Sequence, residues 1–154
     1  MSLEDDIAFF EQVPTFAVLG RDALRILAIG AEARNLQSGA VLFYAGELAD
    51  GGYLVQEGSL LLEPGTTMQE DKAFTVGPGT LVGELALLID MACPATAIAK
   101  EPTVVIRISR NLFKKMLEGY PQAAKIMRDK MAERLDGWTR ELGVLKAAME
   151  KGGE

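Results

Sequence analysis

The segment GELALLIDMACPATA, residues 83–97, is the stretch on which the fold assignment depends. It begins with Gly83, which allows a close approach of the backbone to a ligand, and continues with residues of high helical propensity. A helix that begins there directs unpaired amides and the positive end of its dipole outward, as an anion-binding site does. Glu84 is placed to accept a hydrogen bond from a sugar hydroxyl. A turn glycine and a helix-favouring glutamate explain the same pair, so the interpretation needs more of the sequence.

The second half of this segment lacks the cation that an anion site needs. Cys93 and Pro94 stand where a basic residue is expected, and proline has no backbone amide to donate. No lysine or arginine occurs from Gly83 to Ala99, so we expect Lys100 to be the only basic side chain near the site. Two interpretations of Cys93 remain open. Its thiol is either a redox switch near helix amides or a small apolar group that fills the space, and we favour the second.

Composition and charge restrict the classes of function. The chain has 154 residues, 49% hydrophobic and 25% charged, which predicts one folded domain. Its formal net charge of -6 repels a phosphate backbone, so we expect no nucleic-acid partner. Without histidine the chain lacks the usual metal ligand and the usual general base. We therefore predict that it is not an enzyme and has no catalytic residue. We also predict no metal site and no bound cofactor.

The hydropathy pattern and the single cysteine indicate the compartment. No apolar run is long enough to cross a bilayer, and the acidic start MSLEDD is unlike a secretory signal. One cysteine permits no internal disulfide, in agreement with a reducing environment. We therefore expect a cytoplasmic protein with no membrane partner.

The order of patterns along the chain predicts a mainly β fold with flanking helices. LEDDIAFFEQV and RDALRILAIG have helical spacing, and RNLFKKMLEG repeats it after residue 108. Between them lie short apolar or alternating runs separated by glycine, proline and aspartate turns: VLFYAGE, GYLVQEGSLLLEPG, KAFTVGPG, ATAIA and TVVIRIS. This pattern favours a sandwich or a small barrel, interrupted by a short helix at GELALL.

The last part of the sequence predicts a long helix that begins near Pro121. Apolar residues advance in steps of three and four, as in a helix seam that packs on a partner helix. They are Met131, Leu135, Trp138, Leu142, Leu145 and Met149. We predict a barrel domain over residues 1–120, a dimerisation helix over residues 121–150 that makes a parallel homodimer, and a frayed tail at residues 151–154. The alternative is that the seam packs on the barrel.

Three blocks of sequence together resemble the cyclic nucleotide-binding domain family. They are VLFYAGELADGGYLVQEGSLLL (residues 41–62), FTVGPGTLVGELALL (residues 74–88) and PATAIAKEPTVVIRISRNLFKKMLEGYP (residues 94–121). The resemblance implies a jelly-roll-like β-barrel with two N-terminal helices, a short cassette helix and a long C-terminal helix. It also implies a regulatory role and cyclic AMP or cyclic GMP as the ligand.

The resemblance assigns roles to the segment that opened this section. Gly83 and Leu85 would offer amides to the cyclic phosphate, and Glu84 would accept from the ribose. Ala95 and Thr96 match the end of the motif, with the Thr96 hydroxyl near the ligand, whereas Cys93 replaces the phosphate-binding arginine. On the long helix, the resemblance makes Thr139 a candidate contact for the base.

The missing arginine predicts weak or atypical nucleotide binding. Losing one partner of a buried charge pair costs about 2–5 kcal/mol, or roughly 30-fold to several thousand-fold in affinity. The principal hypothesis is a stand-alone sensor module of the cyclic-nucleotide-binding type. The alternative is a degenerate cyclic nucleotide-binding fold that acts in dimerisation or protein interaction without a nucleotide ligand. Neither hypothesis identifies the downstream protein partner. A DNA-binding regulator is disfavoured because no recognition helix follows the long helix.

Overall fold

Helices lie at both ends of the part of the chain that the computed structural model describes, which comprises residues 2–65, 73–130 and 132. Three of the described helices are α1 (Leu3–Glu11), α2 (Arg21–Gly30) and α3 (Arg110–Gly119), and residues 121–130 are helical as well. Ser2 caps α1 through a reciprocal capping box with Asp5, and the Ser109 hydroxyl caps α3 by accepting from the Leu112 amide. These caps fix where the helical segments begin.

Antiparallel strands form the middle of the molecule. The described strands are β1 (Glu32–Leu36), β2 (Val41–Phe43), β3 (Leu48–Ala49), β4 (Gly51–Glu57), β5 (Leu60–Pro64), β6 (Phe74–Val76), β7 (Leu81–Val82), β8 (Met91–Ala92), β9 (Ala95–Ala99) and β10 (Thr103–Ser109). One sheet has the order β1-β10-β4-β7, the second has the order β2-β9-β5-β6, and β3 pairs with β8 in a short ribbon. A 3-10 helix, Glu84–Leu87, follows β7.

The sheet β1-β10-β4-β7 separates two apolar clusters. Leu54 and Ile106 are Cα partners, and both belong to the helix-side cluster, in which they pack with side chains of the helices. Val55 and Val105 are the next pair along these strands, and both belong to the barrel-side cluster between the two sheets. Because successive side chains of a strand point to opposite faces, one sheet supports both clusters.

The architecture confirms the predicted mainly β barrel with flanking helices and a short cassette helix. Strands that the sequence pattern did not indicate are β1 and the two-residue strands β3, β7 and β8. The run EARNL in β1 is mostly exposed and has little apolar character, because it is an edge strand that pairs only with β10. Within the described residues, no helix is long and apolar enough to cross a membrane.

The predicted boundary near residue 120 falls between two helical segments. Residues 121–130 are helical, and Ala123 and Met127 are buried in the helix-side cluster. Thr139, the predicted tail at residues 151–154 and all six residues of the predicted seam lie outside the described residues. The division into a barrel domain and a dimerisation helix therefore stays a prediction.

Candidate functional site

A cavity of about 1020 Å³ lies on the barrel side of the sheet β1-β10-β4-β7. Its volume is at the upper end of the range for small-molecule sites, roughly 300–1,000 Å³. The apolar side chains that line it include Leu42, Phe43, Tyr53, Leu62, Phe74, Val76 and Val82. Phe43 and Tyr53 pack with ring centroids 5.6 Å apart. The barrel thus offers a largely apolar chamber.

The cassette segment, here residues 83–96, forms one side of this cavity. Six of its predicted site residues line the cavity: Gly83, Glu84, Leu85, Cys93, Pro94 and Ala95. Gly83 has a left-handed conformation with φ of 82°, and it precedes the 3-10 helix. An added Cβ at Gly83 would lie 3.2 Å from the Gly51 carbonyl oxygen, so glycine is required both by conformation and by space.

Glu84 is held from the helix side of the molecule. The buried Thr15, in the loop between α1 and α2, donates its hydroxyl to Oε1 of Glu84 at 2.7 Å. This contact joins residues that are 69 positions apart in the sequence. The carboxylate at the mouth of the cavity is therefore positioned by the N-terminal helices.

Cys93 and Pro94 are fixed by backbone hydrogen bonds to neighbouring turns. The Cys93 amide donates to the Glu47 carbonyl oxygen at 2.7 Å, and the Gly46 amide donates to the Cys93 carbonyl oxygen at 2.8 Å. The Gly65 amide donates to the Pro94 carbonyl oxygen at 2.9 Å. The backbone at these two positions is therefore bonded to the barrel at the edge of the cavity.

The thiol of Cys93 lies in an apolar and negatively charged environment. Burial raises the pKa of the Cys93 thiol, and the carboxylates of Glu47 and Asp50 raise it further. A raised pKa keeps the thiol protonated, which disfavours the thiolate that redox chemistry requires. The observation agrees with the interpretation of Cys93 as a small apolar group. The same two carboxylates oppose a phosphate at this position.

Thr96 stabilises the neighbouring turn. Its Oγ1 accepts a hydrogen bond from the Ala45 amide at 2.9 Å, and it is absent from the described lining of the cavity. Thr96 thus supports the turn that leads to Glu47.

Sequence reasoning missed two arginines that line the cavity, Arg34 on β1 and Arg107 on β10. Arg107 donates to Oδ2 of Asp50 at 2.8 Å, and the guanidinium carbon of Arg34 lies 5.9 Å from the centroid of the Tyr53 ring. Burial lowers the pKa of Arg107, but hydrogen bonds and charge from Asp50, together with Tyr53, outweigh burial and raise it. The alternation in TVVIRIS, which places Arg107 on the face of Val105, was the available signal.

The expectation that Lys100 is the only basic side chain near the site was therefore wrong. The Lys100 ammonium contacts the Thr75 hydroxyl at 3.2 Å, and Lys100 does not contribute to the described cavity lining. Strand pairing brings Arg34 and Arg107 to the cavity although both are distant from the cassette segment in sequence. A search for basic residues near the cassette segment in sequence therefore could not identify them. In the described part of the chain, no group of three or more cysteine, aspartate and glutamate side chains is arranged to hold a metal ion.

The chain belongs to the cyclic nucleotide-binding domain family. The family's sequence model matches residues 33–120, which include the barrel, the cassette segment and α3. The match confirms the family that the sequence blocks resembled, and it supports a regulatory role in the broad sense of that family.

Individual proteins show the same relationship. The chain is similar to the HTH-type transcriptional regulator Cmr of Mycobacterium tuberculosis, with 28% identity over 77% of this chain and 49% of that protein. It is 29% identical to the Cyclic AMP receptor protein of Thermus thermophilus over 86% of this chain and 62% of the relative. The chain thus spans about half to three fifths of these two relatives.

A solved structure of a shorter chain supports the assignment. A cyclic nucleotide-binding-like protein from Brucella abortus is 38% identical and superimposes with a TM-score of 0.64. The match covers 74% of this chain and 98% of that one.

Proposed function

We propose that this chain is a non-catalytic regulatory module that binds a small ligand in its barrel cavity, and that it binds cyclic AMP or cyclic GMP only weakly. The observation that carries the proposal is that a large cavity is lined by a cassette segment that differs from the family motif at the phosphate-binding position. The cavity wall contains Gly83 and Glu84, as the family resemblance requires, but the position of the phosphate-binding arginine is occupied by Cys93.

The charges around Cys93 support weak binding. Among the described lining residues, three carboxylates (Glu47, Asp50 and Glu84) oppose two arginines, and Arg107 is already paired with Asp50. A phosphate placed beside Cys93 would meet the carboxylates of Glu47 and Asp50, with Arg107 already paired to Asp50, and Pro94 gives it no amide. We expect dissociation constants for both nucleotides to be sub-millimolar or weaker.

The module is proposed to act as a homodimer through the predicted helix over residues 121–150. The support is the three-and-four spacing of its apolar residues, which is typical of a helix seam. The acidic net charge of -6 supports a protein partner in preference to nucleic acid.

The test is calorimetric titration of the native chain and of Cys93→Arg with cyclic AMP and cyclic GMP, up to millimolar ligand. Because Cys93 lines the cavity, an arginine there can extend into it and supply the missing cation. We expect Cys93→Arg to bind roughly 30-fold or more tightly than the native chain. Cys93→Gln is the control, since it adds length and polarity without charge.

Each outcome has a distinct meaning. Micromolar binding by the native chain would contradict the proposed weakness and would require another cation at the phosphate. If neither the native chain nor Cys93→Arg binds at millimolar ligand, the cavity no longer accepts these nucleotides. The degenerate fold that acts in dimerisation or protein interaction would then be the better hypothesis.

A further inference from the structure

Of the two arginines of the cavity, Arg34 lies on a different wall from the cassette segment. Arg34 is on β1 and Arg107 is on β10, whereas Gly83 follows β7. In the sheet order β1-β10-β4-β7, the strand β1 is three spacings from β7, or about 14 Å at the usual separation of strands. A ligand group that reaches Arg34 is therefore not at the amides of the 3-10 helix.

Strand register places both arginines on one face with Tyr53. Arg34 is the Cα partner of Val105, and Arg107 is the partner of Tyr53. Since Val105 and Arg107 are two residues apart on one strand, all these side chains lie on the barrel side. Arg34 then contacts the Tyr53 ring, and Tyr53 packs on Phe43. The two cations border the aromatic part of the cavity.

The cavity has different charges at its two ends. Near Cys93, the carboxylates of Glu47 and Asp50 make the environment negative. Among the described residues, no acidic side chain forms an ion pair with the exposed Arg34, whose guanidinium carbon lies over the Tyr53 ring in a cation-π contact. Arg107 lies between these ends, with its side chain 18% exposed and paired with the 68% exposed Asp50.

We propose that the cavity binds an amphipathic anion, with its apolar body against Phe43 and Tyr53 and its carboxylate, sulfonate or phosphate at Arg34 and Arg107. This inference rests on the proposed function, because it takes the barrel cavity as the ligand site. It goes further by placing the anion on the β1-β10 wall and by naming the ligand class. Arg34 supplies the main positive charge. Arg107 contributes when its ion pair with the exposed Asp50 opens and the ligand's anionic group takes the place of the Asp50 carboxylate.

The test compares two fluorescent probes with the same aromatic rings. Anilinonaphthalene sulfonate carries an anion, and N-phenylnaphthylamine does not. We expect the full-length native chain to bind the sulfonate about tenfold more tightly than the neutral amine, which is the effect of one charge-assisted hydrogen bond. Arg34→Gln should lower the affinity for the sulfonate about tenfold and so remove this preference.

Two further variants separate the proposed site from general surface charge. Arg25→Gln removes an exposed arginine from α2, outside the described cavity lining, and should change neither affinity. Asp50→Asn removes the carboxylate that pairs with Arg107 and should tighten sulfonate binding a few-fold. A purely structural role of the Arg107–Asp50 pair would not produce this gain.

The outcomes distinguish the two proposals. If both probes bind equally, or if Arg34→Gln and Arg25→Gln lower sulfonate binding alike, the anion site is overturned and ligand binding in the cavity stands. If neither probe binds and calorimetry detects no binding of the cyclic nucleotides, both the ligand-binding function and the anion site are contradicted. Binding of the sulfonate that Arg34→Gln lowers about tenfold supports the anion site even when cyclic AMP does not bind.

Discussion

The two halves of the cassette segment are held by different parts of the molecule. Residues 83–90 are attached to the helix side, where Leu87 is buried in the helix-side cluster and Glu84 accepts from Thr15. Residues 91–96 are attached to the barrel, through backbone bonds of Cys93 and Pro94 and the hydroxyl of Thr96. The half that keeps the family's glycine and glutamate is thus fixed by helices, and the half that departs from the family is fixed by strands.

The difference indicates which half can change without loss of the fold. At positions 93 and 94 the bonds to the barrel are made by the backbone, so they do not depend on which side chain stands at Cys93. In the helix-side half, the buried side chain of Leu87 and the positive φ of Gly83 restrict the sequence. We infer that the backbone hydrogen bonds of the barrel-held half are compatible with different side chains at position 93.

The largest effect is expected from Leu87→Ala, which tests the attachment of the first half. Leu87 is 2% exposed, and removing its side chain leaves a cavity in the helix-side cluster. The free energy of unfolding should fall by about 2–5 kcal/mol, measured by urea denaturation. Ile89→Ala is the control, since Ile89 is 53% exposed and should change stability by about 0.5 kcal/mol or less. Equal effects for the two variants would contradict burial as the anchor.

An intermediate effect is expected from Arg110→Gln, because Arg110 joins the two halves. Its guanidinium donates to the Ala86 carbonyl oxygen at 2.8 Å and to the Ala49 carbonyl oxygen at 2.6 Å, and it pairs with Asp90. Ala49 is the Cα partner of Met91, so one side chain contacts the first half and the strand that holds the second. Losing these charged hydrogen bonds should lower the free energy of unfolding by about 1.5–3 kcal/mol.

Asp90→Asn separates the carbonyl contacts of Arg110 from its ion pair. Asp90 is 80% exposed, and exposed ion pairs contribute about 1 kcal/mol or less. This variant should therefore be close to the native chain in urea denaturation. If Asp90→Asn destabilises as much as Arg110→Gln, the bridge between the halves depends on the ion pair and not on the two carbonyl groups.

The sequence predicted the fold well because its signals are local. Turn glycines, alternating runs and helical spacing each act over a few residues, and they indicated α1, α2, α3 and the main strands. The strand β1 was missed because an exposed edge strand needs no apolar alternation, as its run EARNL shows. The cassette residues were found through their similarity to a family motif, and all but Thr96 line the cavity.

The rest of the site depends on contacts between distant parts of the chain. Arg34 and Arg107 meet the same cavity because β1 and β10 pair, and Glu84 meets Thr15 because the N-terminal helices pack beside the cassette. Neither contact has a signature at short sequence separation. The alternation in β10 could have indicated the face of Arg107, but it does not reveal that this face borders the cassette.

The smallest effect is expected from the Cys93 thiol at alkaline pH. Burial, followed by the charges of Glu47 and Asp50, raises its pKa, so the folded protein retains a proton that the unfolded chain has lost. The unfolded state then binds fewer protons, and stability falls as the pH rises through the ordinary thiol pKa of about 8.5, until the folded-state pKa is passed. Urea denaturation across this pH window measures the fall.

Cys93→Ala is the reference for this measurement, because every other titrating group is present in both proteins. The stability of the native chain relative to Cys93→Ala should decrease through the window, and a constant difference would show that the thiol titrates alike in both states. Glu47→Gln then separates the two causes. If Glu47 has no effect on the thiol, this variant keeps the full decrease, whereas a smaller decrease would demonstrate that the Glu47 carboxylate places a negative charge beside Cys93, where it opposes a phosphate.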